Sequence, residues 1–204
     1  MSFYSVMYRI FAGGCRWFFG IRTKNRENTP GEGGFLIAAN HLSIPDVIAL
    51  EASFDRQVRL MAKAELFRVP LLSGFLRALG AIPLDRGGSD VGALKKAVAY
   101  MKEGELVGIF PQGHRYPGVH PSETPIKNGA AMISYRAGVP VIPVSIRAKS
   151  GRVRPFSRVL VTVGEPISRA ELDTLVKEDG SADYQAQTRL IFDRICRLYD
   201  EEEP

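Results

Sequence analysis

Gly33-Gly34-Phe35-Leu36-Ile37-Ala38-Ala39-Asn40-His41-Leu42-Ser43-Ile44-Pro45-Asp46 reads as a strand, a loop and the first turn of a helix in succession. Five apolar residues in a row after a glycine pair predict a short buried strand at Phe35 to Ala39. Ser43-Ile44-Pro45-Asp46 then predicts a helix start, because proline is tolerated in the first turn and an acid suits the positive N-terminal end. The same alternation continues downstream. Val58–Ala62 predicts a second strand, Pro70–Leu79 a short helix stopped by Gly80, and Ala81–Leu84 a third strand. Ser89 is expected to cap a helix running to about Lys102, with Val91, Leu94, Val98 and Met101 on one face. A strand at Leu106–Phe110, a helix at Lys127–Ala137 closed by Gly138, and strands at Val141–Ile146 and Val159–Val163 follow. Helices at Ser168–Lys177 and Tyr184–Tyr199 close the chain. Strands alternating with helices imply an α/β fold with a largely parallel central sheet flanked by helices. Sites in such folds collect in loops beyond the C-terminal ends of the strands.

The bulk figures agree with one domain. The 204 residues are 45% hydrophobic and 24% charged, enough apolar material for a core that needs no metal or disulfide. Cys15 and Cys196 lie near opposite ends in no metal-spaced cluster, which predicts reduced thiols in a cytosolic compartment. The net charge of +5 is unevenly spread. Residues 1–26 carry Arg9, Arg16, Arg22, Lys24 and Arg26 and no acid, whereas the chain closes on a solvated acidic run from Asp200 to Glu203. The basic residues at the start are interleaved with Phe3, Tyr4, Tyr8, Phe11, Trp17, Phe18 and Phe19. That mixture favours a bilayer interface over nucleic acid. Arg9 and Arg16 inside the stretch argue against a membrane span, and no signal-peptide cleavage site is visible. The expectation is two short amphipathic helices hinged at Gly13-Gly14 within a 1–26 membrane-interface segment, followed by a single domain over 27–204. The alternative is a helix packed on the protein's own core.

Three loops hold the chemistry-bearing residues. In the first, His41 is a base of near-neutral pKa type, and Asp46 is spaced to orient it. Taken alone, Asp46 could equally serve only the helix N-terminus. The second, Gly80 to Gly88, contains Arg86. The third, Phe110-Pro111-Gln112-Gly113-His114-Arg115, contains Arg115. Each arginine follows an apolar strand beside glycines, a setting suited to phosphate; each could also be a surface turn residue.

In order and spacing these blocks resemble the glycerophospholipid acyltransferase family, which includes lysophosphatidic acid acyltransferases. That family carries N-H-x4-D, G-x-I-x-x-x-R, F-P-E-G-T-R and V-P-x-x-P. Here they read Asn40-His41 to Asp46, Gly80 to Arg86, Phe110 to Arg115, and Val139 to Pro143. Ala62-Lys63-Ala64-Glu65-Leu66 and Lys127-Asn128-Gly129-Ala130-Ala131 also look like the family, so the likeness covers roughly residues 35 to 147. It departs at Gln112, where glutamate is usual, and at His114, where threonine or serine is usual. Glutamine cannot balance a neighbouring arginine's charge. The departures mean a retuned site or lost activity, and the retained His41, Asp46, Arg86, Gly113 and Arg115 favour retuning. His114 reads as a second titrating group or a hydrogen-bond donor.

What the resemblance implies is an acyltransferase taking a fatty acyl group from an acyl-CoA or acyl-ACP thioester to the free hydroxyl of 1-acylglycerol 3-phosphate. His41 would be the base and Asp46 its orienting partner. Arg86, Arg115 and the Gly113 backbone N–H would hold the acceptor phosphate, with Lys63 adding charge or serving as a surface lysine. Gln112, His114, Asn40 and Ser43 complete the substrate-binding set. Ser43 reads as a helix cap and not a nucleophile, because no G-x-S-x-G elbow surrounds it. No metal and no redox cofactor are implied, and the protein is expected on the cytoplasmic face of the membrane, peripheral or monotopic. The other readings are an acyltransferase for a non-phosphate lyso-lipid acceptor and a catalytically silent lipid-binding homologue.

Overall fold

The computed structural model describes residues 3–85, 90–201 and 203–204, with side chains from residue 11 onward. Helix α1 (Phe3–Phe19) leads into strand β1 (Ile21–Lys24), then β2 (Phe35–Ala39), α2 (Asp46–Ala52) and β3 (Val58–Lys63). Next come α3 (Leu72–Ala78), β4 (Ile82–Leu84), α4 (Val91–Lys102), β5 (Leu106–Ile109) and α5 (Gly129–Ala137). Strands β6 (Val141–Ala148) and β7 (Val159–Val163) and helices α6 (Arg169–Asp173) and α7 (Tyr184–Glu201) complete the order. The strands form one sheet in the order β1-β7-β6-β2-β5-β3-β4, parallel everywhere except between β6 and β7.

The apolar run of β2 is explained by its place in that sheet. It is a central strand, paired with β5 on one side and β6 on the other, and a core packs on each of its faces. Ile37 and Ala39 pack with α1 and α2 residues, while Leu36 and Ala38 pack with Leu94, Ala131 and Ile191 of α4, α5 and α7. The two-residue alternation thus sorts one strand's side chains into two cores. All five mutually parallel strands, β2 to β6, point their C-terminal ends to one edge, where the loops of interest lie.

The N-terminal expectation changes in two ways. The helix runs unbroken through Gly13 and Gly14, because it is held from outside. Ala12 and Phe19 are buried, Cys15 packs against the same core, and Arg16 Nη1 donates to the Ala52 carbonyl at 2.9 Å. Tertiary packing here outweighs the roughly 1 kcal/mol that each glycine costs a helix. Residues 21 to 24 are not helical but form an edge strand parallel to β7, with Ile21 opposite Val159. Gly20 makes the corner at φ 60°, where a Cβ would stand 1.9 Å from the Ser157 carbonyl oxygen. Residues 12–24 therefore pack against the same core and sheet as the rest of the chain.

Two smaller differences have local causes. Ser89 lies outside the described residues, and the cap of α4 is Asp90, whose carboxylate accepts from the Ala93 N–H at 2.8 Å and is held below the usual carboxylate range chiefly by that bond. Helix α6 stops at Asp173 and does not reach Lys177. Lys177 and Ser181 bond to each other across a turn at Gly180, which takes the backbone out of the helix. Both cysteines are unpaired, and burial, followed by Asp193 and Asp200, pushes the Cys196 thiol up to about 11. Neither is a candidate nucleophile.

Candidate active site

His41 leaves the end of β2 in the loop before α2, with Asp46 as that helix's first residue. Pro45 precedes it in helical conformation and lacks a donor to lose. The geometry turns the His-x4-Asp spacing into a contact: His41 Nδ1 lies 2.8 Å from Asp46 Oδ2. The same oxygen accepts from the Leu42 N–H at 2.5 Å and the Ser43 N–H at 2.8 Å, and Oδ1 accepts from Ser43 Oγ at 2.8 Å. Its other partners, the Leu42 and Ser43 N–H groups and the Ser43 hydroxyl, all donate to this fully buried side chain. That pattern suits a carboxylate anion at a helix N-terminus, and it fixes the proton of His41 on Nδ1. Nε2 is left with its lone pair and, among the described residues, no partner. The ring is stacked on Phe110 at 4.0 Å and 13°, which sets its plane. An imidazole steadied on one nitrogen and open on the other is equipped to take a proton from a hydroxyl.

The other expected residues divide into those that build the site and those that face outward. Asn40 is fully buried and clamps β2 to β6, accepting from the Ile146 N–H at 2.7 Å and donating to the Ile146 carbonyl at 2.8 Å. Ser43 Oγ donates to Asp46 and accepts from the Val153 N–H at 3.0 Å, so its hydroxyl ties the dyad to the loop after β6. That is more than a helix cap. Gln112 is 2% exposed, and both ends of its amide are engaged within the chain. Oε1 accepts from the His41 N–H at 2.5 Å, and Nε2 donates to Thr124 Oγ1 at 2.7 Å. Its position is that of a bracket under the His41 loop.

This accounts for glutamine at a place where the family's pattern has glutamate. Thr124 Oγ already donates to the Pro121 carbonyl at 2.6 Å, so it can only accept from residue 112. Gln112→Glu should therefore lower stability by about 1–3 kcal/mol, the cost of a buried acceptor set against an acceptor. Thermal unfolding of the variant checks this, and an unchanged midpoint would rule the bracket out.

The Gly113 N–H, expected on the acceptor phosphate, donates to the Phe110 carbonyl at 3.0 Å. The φ of 69° at Gly113 serves a tight turn. His114 and Arg115 are exposed just before Tyr116, whose N–H donates to the His41 carbonyl at 2.9 Å. Lys63 ends β3 at the same sheet edge, exposed and paired with Glu65 at 2.9 Å. Arg86 lies outside the described residues. A residue with no role assigned from sequence, Lys127, joins the group. Its backbone N–H donates to the Pro111 carbonyl at 2.9 Å, and its chain runs along Gly113, so that a Cβ there would stand 3.5 Å from Nζ. The sequence signal was the Lys127-Asn128-Gly129 stretch, but only folding brings it beside the third loop.

A family model described as Acyltransferase matches residues 20–147. The 1-acyl-sn-glycerol-3-phosphate acyltransferase of Bacillus subtilis (strain 168) is 32% identical over 182 residues, covering 88% of this chain and 88% of that protein. The protein of the same name from Saccharomyces cerevisiae is 29% identical over 68% of this chain and 48% of its own length. Among solved structures, that of the 1-acyl-sn-glycerophosphate acyltransferase PlsC from Thermotoga maritima superposes with a TM-score of 0.70 at 24% identity. It covers 98% of this chain and 81% of its own, a likeness of fold.

Proposed function

This chain belongs to the acyltransferase family, and on that premise we propose that it is a 1-acylglycerol-3-phosphate O-acyltransferase of phospholipid biosynthesis. The acyl group comes from a thioester on coenzyme A or acyl carrier protein, and the product is phosphatidic acid. The observation that carries the reading is the His41–Asp46 pair at 2.8 Å, with Nε2 left to act. Nε2 takes the proton of the acceptor hydroxyl as its oxygen attacks the thioester carbonyl. A C–O bond forms, the tetrahedral intermediate breaks its C–S bond, and the departing thiolate takes the proton back from the imidazolium. One thioester and one alcohol become one ester and one thiol. Ser43 is no rival nucleophile, because its hydroxyl proton is directed to Asp46.

Arg115, Lys127 and Lys63 supply positive charge at the mouth of the site, and Arg86 joins them by the resemblance of its block. Acyl transfer from a radiolabelled thioester to 1-acylglycerol 3-phosphate, run beside the same acceptor without its phosphate, tests the assignment. Arg115→Ala is expected to lower kcat/KM for the phosphorylated acceptor about tenfold or more and to leave the other unchanged. A hydrogen bond to a charged group contributes about 1.5–3 kcal/mol. Equal use of both acceptors by the wild type would transfer the reading to a non-phosphate lyso-lipid.

Acceptor and product are both lipids, so the protein works at a membrane surface, on the cytoplasmic face. Among the described residues no helix is long and apolar enough to cross a bilayer. The outward face of α1 is suited to lying on one, with Trp17 76% exposed.

A further inference from the structure

Leu71 and Phe156 are large apolar residues held in solvent by strained backbone. Leu71 has φ 64° and ψ −51° and is the centre of a tight three-residue turn, closed by the Leu72 N–H on the Pro70 carbonyl at 2.7 Å. Phe156 has φ 54°. Side chains of this size rarely take positive φ, and such strain concentrates where function requires it. Burial in the protein's own core does not explain either case, since Leu71 is 93% and Phe156 70% exposed.

Both belong to one continuous surface. Leu71 is four residues before Phe75 in α3, and the Phe75 ring meets Phe11 of α1 at 6.2 Å. Phe11 and Phe18 are seven residues apart, two turns along one face of α1. Phe18 meets Phe156 at 5.1 Å, and Trp17 meets it at 5.8 Å. Helix α1, helix α3 and the loop of Phe156 meet in this belt. The stretches 11–20, 66–80 and 149–158 carry one, two and four basic side chains and no acid, seven cations against a net charge of +5 for the whole chain.

We propose that this belt of three segments, with Leu71 and Phe156 as its inserting tips, docks on an anionic phospholipid bilayer. The inference rests on the reading of α1 as the bilayer-facing helix and extends it to two loops far apart in sequence. Exposed apolar tips ringed by arginine and lysine match the two layers of such a surface, acyl chains beneath and phosphates above. An acidic protein partner would satisfy the cations but offers the protruding tips no hydrocarbon to enter. The loop of Phe156 is also tied to the dyad, through the Val153 N–H on Ser43 Oγ. Docking there would hold the site against the surface that carries its acceptor.

The experiment is co-sedimentation of the full chain with phosphatidylglycerol vesicles and with phosphatidylcholine vesicles. Wild type is expected to prefer the anionic set. The double variant Leu71→Gly, Phe156→Gly should bind about tenfold or more weakly, since full burial of one such side chain is worth an order of magnitude or more in partition. Glycine adopts positive φ without strain, so the thermal midpoint should hold within a few degrees. Arg154→Glu, a change at an exposed tip, should weaken binding to phosphatidylglycerol alone. A folded double variant that binds like wild type overturns the belt while leaving α1 as the contact. Wild type that ignores both vesicles overturns α1 and belt together, and if it is then captured by an acidic carrier protein the surface belongs to a protein partner.

Discussion

His41→Ala should lower acyl transfer by roughly a hundred- to ten-thousandfold, the range that a positioned general base contributes. The loss should fall on kcat, because the imidazole acts on the proton that leaves as the new C–O bond forms. The loop should survive the change. Asp46 keeps the Leu42 and Ser43 N–H groups, and the loop backbone keeps Gln112 and Tyr116. The ring disappears, with its stack on Phe110 and its bond to Asp46. The check is single-turnover transfer by folded variant and wild type at saturating 1-acylglycerol 3-phosphate. Wild-type rates in the variant would remove His41 from the chemistry and with it the mechanism.

Asp46→Asn should cost on the order of a hundredfold or more in the same assay while leaving a folded protein. The amide oxygen can take the place of Oδ2 and receive the His41, Leu42 and Ser43 donors. The amide nitrogen then stands at the Oδ1 position, beside a serine hydroxyl that can rotate to accept. What is lost is the negative charge that stabilises the imidazolium formed in the transition state. Asp46→Ala differs, because it leaves two backbone donors of a buried loop without an acceptor and should also lower the thermal midpoint. Equal midpoints for the two variants would mean that the loop does not depend on this carboxylate.

The five-residue run at Phe35–Ala39 was readable as a strand because burial on both faces demands apolar residues at every position. His41 and Asp46 were readable as a pair because their contact is local, five residues apart across a loop and one helical turn. The Asp46 cage was equally local, since its backbone donors follow His41 directly. Residues 21–24 were not readable as a strand. Ile-Arg-Thr-Lys carries little pattern of its own, and its place is set by the parallel β7 more than 130 residues later. Gln112 reads as a substrate group because it stands in the block that resembles the family's F-P-E-G-T-R. Its partners, His41 at 71 residues' distance and Thr124 at 12, exist only in the folded chain.

By itself the sequence determined the α/β alternation, the dyad and its order among the loops, because those depend on periodicity and short spacings. Tertiary structure alone decided that the Gly113 N–H closes a turn on Phe110, that Lys127 runs beside the third loop, and that α1 meets both α3 and the loop of Phe156 through aromatic rings. The last two are meetings of residues far apart in the chain, fixed by how strands pair and helices pack and by no local preference of the residues themselves.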